Sequence, residues 1–151
     1  MPIIRLETKI RAPLEMCFDL ARSVELHMRS AALSRETAVG GVTSGLLQLN
    51  QEVTWEATHL FVKQRLTSRI TIFDRPRHFR DSMVSGAFRR FDHDHIFSEA
   101  GGATLMTDVF DFTSPLGPLG KLADLLFLKN YLEGFLKRRA EVIRTEAESR
   151  T

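Results

Sequence analysis

The sequence predicts an α+β chain: a strongly curved antiparallel sheet of about six to seven strands around one long C-terminal helix, with two short helices after strand 1. Three observations carry this. Residues 3–10, IIRLETKI, read as a strand and are followed at once by two short helical segments. The middle of the chain is a succession of β-rich runs separated by turn chemistry. The last third changes to helical period and keeps it.

Ala12-Pro13 ends the first strand. Leu14, Cys17, Phe18 and Ala21 then recur at helical spacing, with proline suited to a first turn. Ser23 is the expected N-cap of a second helix over about 24–31, and Glu25 sits in its first turn, where the helix dipole favours an acid. A strand over 34–39 is expected to end at Gly40-Gly41, with 42–50 as a connection. The runs 51–60, 64–73, 78–85, 88–98 and 103–113 follow, most of them bounded by turn signals such as Asp74-Arg75-Pro76, Ser85-Gly86 and Gly101-Gly102. Short connections between consecutive strands imply hairpins and an antiparallel meander.

Ser114 to Gly120 reads as a stiff bridge. From Lys121 to about Glu148, Leu122, Leu125, Leu126, Leu132, Phe135, Leu136, Val142 and Ile143 line one broad face. About 28 helical residues span roughly 40 Å, enough to cross a sheet. Gly134 within this helix marks a weak spot or a close approach of backbone or ligand.

The length of 151 residues suits a single domain over 1–151. Eleven Phe against one Trp and one Tyr favour an oily interior, because Phe has no polar atom needing a partner. The net charge is +2. Arg75, Arg77, Arg80, Arg89 and Arg90, and the run Lys137-Arg138-Arg139, form basic clusters, but acids are interspersed. They read as solvated faces, and no nucleic-acid partner is expected. Cys17 stands alone in PLEMCFDL and reads as a core residue, so no intramolecular disulfide can form. No basic-then-apolar leader and no membrane-length apolar run is present, so a cytoplasmic chain without membrane insertion is expected.

A sheet needs one face covered, and only the C-terminal helix is long and apolar enough to cover it. A curled sheet gripping one helix leaves space that side chains do not fill, so a cavity is expected between them. This order resembles the START/SRPBCC helix-grip superfamily over nearly the whole chain. The resemblance is carried by APLEMCFDLARSVELH after the opening strand, the central TSRITIFDRPRHFRDSMVSGAFRRFDHDHIF, and the closing TLMTDVFDFTSPLGPLGKLADLLFLKNYLEGFLKRR. The last two segments are similar to a bacterial ligand-binding, polyketide cyclase-like subgroup. The resemblance implies the fold and a hydrophobic cavity. It leaves the chemistry open, since this scaffold hosts binders, carriers, cyclases, hydrolases and regulators.

Period two sorts the side chains of 88–98: Arg89, Phe91, His93, His95 and Phe97 on one face, Arg90, Asp92, Asp94, Ile96 and Ser98 on the other. Phe91 and Phe97 mark the inward face, which turns His93 and His95 toward the cavity. Phe79, Asp81 and Met83 share the inward face of 78–85. Asp81 with His93 or His95 is the sharpest polar constellation, able to hold a ligand carbonyl or move a proton. The bland alternative is a partly buried pair of histidines bonded to their neighbours. Met106, Asp108, Phe110 and Phe112 share one face of the closing strand. Trp55, with Val53, Ala57 and His59, is a pocket wall or core anchor, opposite a solvent face of Glu52, Thr54, Glu56 and Thr58. Leu122, Leu126 and Tyr131 of the long helix complete the expected lining.

Two His at i and i+2 match one edge of a metal site. A third ligand would have to come from Asp81 or Asp108, and no spacing predicts that convergence. No metal and no cofactor is therefore expected. No nucleophile elbow, phosphate loop or dinucleotide fingerprint occurs.

Three functions remain. The first is binding or carriage of a small hydrophobic molecule, such as a lipid, polyketide or isoprenoid-like compound. The second is a cyclase, dehydratase or hydrolase using His93, His95 or Asp81 for proton transfer. The third is a protein-interaction or regulatory module presenting Arg89 and Arg90. An exposed edge strand leaves a homodimer open.

Overall fold

The computed structural model describes residues 2–59, 61–114, 117–123 and 127–151. The elements are β1 (Ile3–Ile10), α1 (Leu14–Ala21), α2 (Val24–Ser30), a 3-10 turn (Ala32–Ser34), β2 (Thr37–Gly41), β3 (Glu52–His59), β4 (Val62–Asp74), β5 (His78–Ser85), β6 (Arg90–Ala100), β7 (Ala103–Thr113), α3 (Gly117–Ala123) and α4 (Lys129–Ser149). Seven strands form one sheet in the order β1-β7-β6-β5-β4-β3-β2. Every neighbouring pair is antiparallel.

β1 and β2 are consecutive among the strands yet lie at opposite edges. The chain between them must cross the sheet, and α1 and α2 are that crossing. Both pack on α4, which also packs on β1. Ser23 caps α2 as expected, its Oγ accepting from Leu26 N at 3.2 Å. Glu25 does more than complement a dipole: its carboxylate accepts from Gly45 N at 3.0 Å and ties α2 to the 42–50 connection.

The sheet bends at register shifts between Ala38 and Gly40 and, on β4, between Thr67 and Ser68 and between Ile70 and Ile72. A bulge places two residues against one and turns the strand. Gly41 makes the first bend possible: φ is +66° and an added Cβ would lie 2.2 Å from Glu52 O.

Two apolar clusters form the core. The larger centres on Phe18, whose ring meets Phe73, Phe79 and Phe97 edge-on at 5.5, 5.2 and 5.5 Å. The smaller gathers Ile4, Phe91, Phe110, Phe112 and Leu136. Cys17 is buried in the larger cluster, and burial raises its thiol pKa.

Several expectations are corrected. The residues expected to open a strand at 34 instead end a 3-10 turn, and β2 begins at Thr37 after Arg35 adopts a left-handed φ of 54°. The bridge before the long helix is already helical from Gly117, with Pro118 in the first turn, where its missing N–H costs nothing. The long helix α4 has 21 residues, about 31 Å at 1.5 Å per residue, rather than the 28 expected. Phe127 and Leu128 precede it in a wider π-type turn, and Leu125 and Leu126 lie outside the described residues. Among the described residues nothing approaches Gly134 closely. A Cβ there would meet only Arg138 Nη1, at 3.6 Å.

The outer face of the sheet is laced by charge pairs. Arg80 donates to both oxygens of Asp94, Arg90 bridges Asp92 and Asp111, and Arg65 and Arg69 reach across to Glu56 and Glu52. Arg75 is held by Asp19. Among the described residues no helix is long and apolar enough to cross a membrane.

Candidate functional site

A cavity of about 150 Å³ lies between α4 and the concave sheet. Both apolar clusters contribute to it. Val53 and Trp55 come from β3, Leu66 and Ile70 from β4, Phe79 from β5, Phe91 from β6, Phe110 from β7, and Leu132, Phe135 and Leu136 from α4. Ala21, Arg22, Ser23 and His27 of the crossing helices add to the wall.

One part of the wall is polar, and strand register builds it. Asp81 of β5 stands opposite His93 of β6, and His95 stands opposite Asp108 of β7. All four side chains point to the concave face, so two carboxylates and two imidazoles meet in a ring. His95 Nε2 lies 2.7 Å from Asp81 Oδ1, and His93 Nε2 lies 3.0 Å from Asp108 Oδ1. The remaining sides are longer. His95 Nδ1 is 3.2 Å from Asp108 Oδ1 but off the line a hydrogen bond needs, and His93 Nδ1 is 3.9 Å from Asp81 Oδ1. The two imidazoles are 3.8 Å apart, and His95 also stacks on Phe79 at 4.2 Å.

His95 and Asp108 are each 1% exposed, whereas Asp81 keeps 21% of its side chain accessible along the cavity wall. Burial alone would raise both carboxylate pKa values. The hydrogen bond from His95 and the nearby His93 outweigh it at Asp81, which is lowered to about 2. Contacts to His93 and His95 outweigh burial at Asp108, which is held well below the usual carboxylate range. The histidines divide. Burial and the adjacent His95 lower His93. Burial also works against charge on His95, but Asp108 and Asp81 outweigh it and raise its pKa. Burial thus disfavours charge at His93, while the two carboxylates favour it at His95.

Arg139 joins this group. It is buried, donates from Nη2 to Ala21 O at the end of α1 at 2.6 Å, and holds Nη1 3.8 Å from Asp108. This corrects its expected place on a solvated basic face. Its spacing explains the difference: residue 139 lies three after Leu136 and four before Ile143, on the apolar stripe of α4.

A second polar group lies on the same cavity. Glu36 is buried with Oε1 2.5 Å from His27 Nε2 and Oε2 4.0 Å from His59 Nε2. His59 Nδ1 meets the Tyr131 hydroxyl at 2.8 Å. Burial would raise Glu36, but His27 and His59 lower it on balance. His27 and Glu36 give no signal in the sequence, because each is isolated in a short segment with no period to place it.

Of the expected lining, Trp55, Phe79, Asp81, Phe91, His93, His95 and Phe110 border the cavity. Phe97 and Phe112 are instead fully enclosed, packed against Phe18 and Phe88. Met83 packs on the smaller cluster. Asp108 sits behind the histidines, anchoring them. Leu122 lies on α3, outside α4, and is 55% exposed. Tyr131 faces a separate hollow with Leu33, Phe61 and Arg138, touching the cavity group only through His59. Leu126 lies outside the described residues.

No family model matches the chain. No curated protein matches it. Solved structures do. A protein from Thermus thermophilus, TTHA0849, superposes with a TM-score of 0.74 at 20% identity, covering 97% of this chain and 99% of that one. A START superfamily protein from Mycobacterium smegmatis gives 0.74 at 10% identity, covering 99% of each. Ginseng major latex-like protein 151 from Panax ginseng gives 0.71 at 15%, covering 97% of each. The chain has the START-like helix-grip fold, as its element order implied.

Proposed function

We propose that the chain binds one small, mainly apolar molecule in the cavity between α4 and the sheet, with a polar substituent of that molecule turned to Asp81 and His93. The supporting observation is a hollow walled by Trp55, Ile70, Phe91, Phe110 and Leu136 yet carrying Asp81, His93 and His95 at one side. A purely structural core would fill that space with side chains.

Volume decides the size of the occupant. An apolar cavity of roughly 150 Å³ takes a benzene-sized guest, and pockets for drug-sized ligands run from about 300 Å³. At about 150 Å³ the space as it stands fits a one-ring compound. Titration with phenol, benzyl alcohol and toluene, followed through the single tryptophan, tests this. Saturable binding in which phenol exceeds toluene, abolished in a folded Val53→Phe variant that fills the space, is expected. Equal response of wild type and Val53→Phe would contradict it.

A second reading is favoured by one observation. His93 has Nε2 committed to Asp108 and Nδ1 3.9 Å from the nearest carboxylate, the arrangement of a neutral base held in one tautomer. Proton abstraction by His93 Nδ1 from the C–H beside a carbonyl of a bound ligand follows from it. Solvent-deuterium exchange into a bound ligand, lost in His93→Gln with binding retained, would support this reading. Exchange that survives the substitution would remove it.

A further inference from the structure

The ring of carboxylates and imidazoles has a second capacity, independent of whether the cavity takes an organic ligand. Asp81, His93 and His95 each present one ligand atom, and the three atoms lie within 4.8 Å of one another. All three residues border the cavity. We propose that Asp81 Oδ1, His93 Nδ1 and His95 Nε2 form a binding site for a divalent transition-metal ion of the Zn²⁺ or Fe²⁺ class, its coordination completed from the cavity.

Geometry supports this in three ways. Bonds of about 2.0–2.2 Å at tetrahedral angles separate donor atoms by roughly 3.3 Å. The observed separations from Asp81 Oδ1, 2.7 Å to His95 and 3.9 Å to His93, bracket that value. The imidazoles are also oriented from behind. His93 turns Nε2 to Asp108 Oδ1 at 3.0 Å and His95 turns Nδ1 to the same oxygen at 3.2 Å, so one buried carboxylate faces the non-ligating nitrogen of both rings. Metal-bound histidines almost always place their second nitrogen against such a group. His95 Nδ1 makes no hydrogen bond as it stands, and a small rotation of the ring toward a metal is free to complete one with Asp108.

The donor set identifies the ion class. Two imidazoles and one carboxylate suit zinc or non-haem ferrous iron, and are a poor match for calcium or magnesium, which prefer all-oxygen sites. Donors come from the β5 and β6 side only, so the cavity side remains for water or a ligand oxygen.

The test is titration of metal-stripped full-length chain with Co²⁺, read by visible absorption, with Zn²⁺ competition. One equivalent per chain, displaced by Zn²⁺, is expected. His93→Ala and His95→Ala should abolish it. Asp108→Asn should keep the stoichiometry and weaken affinity by about 10–100-fold, the usual effect of losing an orienting partner. X-ray absorption on the zinc-loaded wild type, which needs no variant to fold, should show two imidazole ligands. Absence of stoichiometric binding by folded wild type, or a zinc shell without imidazole pairs, would overturn the proposal. Binding unchanged in folded His93→Ala would do the same. Phenol binding measured in the presence of a chelator is a separate quantity, so either result can fail alone.

Discussion

Trp55 lies against His27 with ring centroids 4.1 Å apart and planes inclined by 30°. One imidazole thus covers a face of the only tryptophan and, through Nε2, holds the buried Glu36. Replacing His27 by Ala strips both. Leaving a buried charged acceptor short of its partner costs about 1–3 kcal/mol. Urea denaturation should show His27→Ala destabilised by that order, and the Trp55 emission should move to longer wavelength as water reaches the exposed ring face. An unchanged midpoint and emission would mean the contact carries no energy.

Glu36 has its pKa lowered on balance from an ordinary value of 4.5, despite its burial. A carboxylate lowered in the folded state stabilises the fold fully above its unfolded value and loses that contribution as pH falls through the folded one. Stability of the wild type should therefore decline below about pH 4.5 more steeply than that of Glu36→Gln. Denaturation midpoints measured from pH 7 down to pH 3 check this. Parallel curves for the two proteins would show that Glu36 is not the titrating group.

Asp108 is the most committed side chain of the ring, facing His93, His95 and Arg139. Removing one partner of a buried ion pair typically costs about 3–5 kcal/mol. Asp108→Ala should lose stability of that order, whereas Asp81→Asn, at the accessible cavity side, should lose less. Equilibrium unfolding of the two variants gives the comparison, and the reverse ranking would contradict the roles assigned to them.

Gly134 lies inside α4, where an added Cβ would make an ordinary contact with Arg138 Nη1 at 3.6 Å. Gly→Ala in a helix interior gains about 0.5–1 kcal/mol. Gly134→Ala should raise the thermal midpoint. A lower midpoint would mean that a close neighbour crowds the position.

The sheet and its facing were legible in the sequence for a definite reason. In β6 the alternation FDHDHIF sorts inward from outward residues without outside information, and Phe91, His93, His95 and Phe97 are all buried as that period requires. Cross-strand partnership was less legible. Asp81 can be paired with His93 or His95 by face alone, but the closeness of Asp108 to both imidazoles depends on the β6–β7 register, which turns and bulges set. Arg139 misleads because it adjoins Lys137 and Arg138, so composition hides what helical spacing shows. Glu36 lies between the 3-10 turn and β2, and His27 in a seven-residue helix too short for its period to mark which residues turn to the cavity. The boundary of α4 is not marked either, because leucines recur at helical spacing from Leu122 to Leu136.

The hollow between α4 and the sheet should accept a one-ring guest. Crystals exposed to bromobenzene and measured at the bromine absorption edge would locate it. An anomalous peak bounded by Trp55, Ile70, Phe91 and Leu136 is the expected result. Side chains filling that volume, with bromine absent from it at saturating exposure, would contradict it.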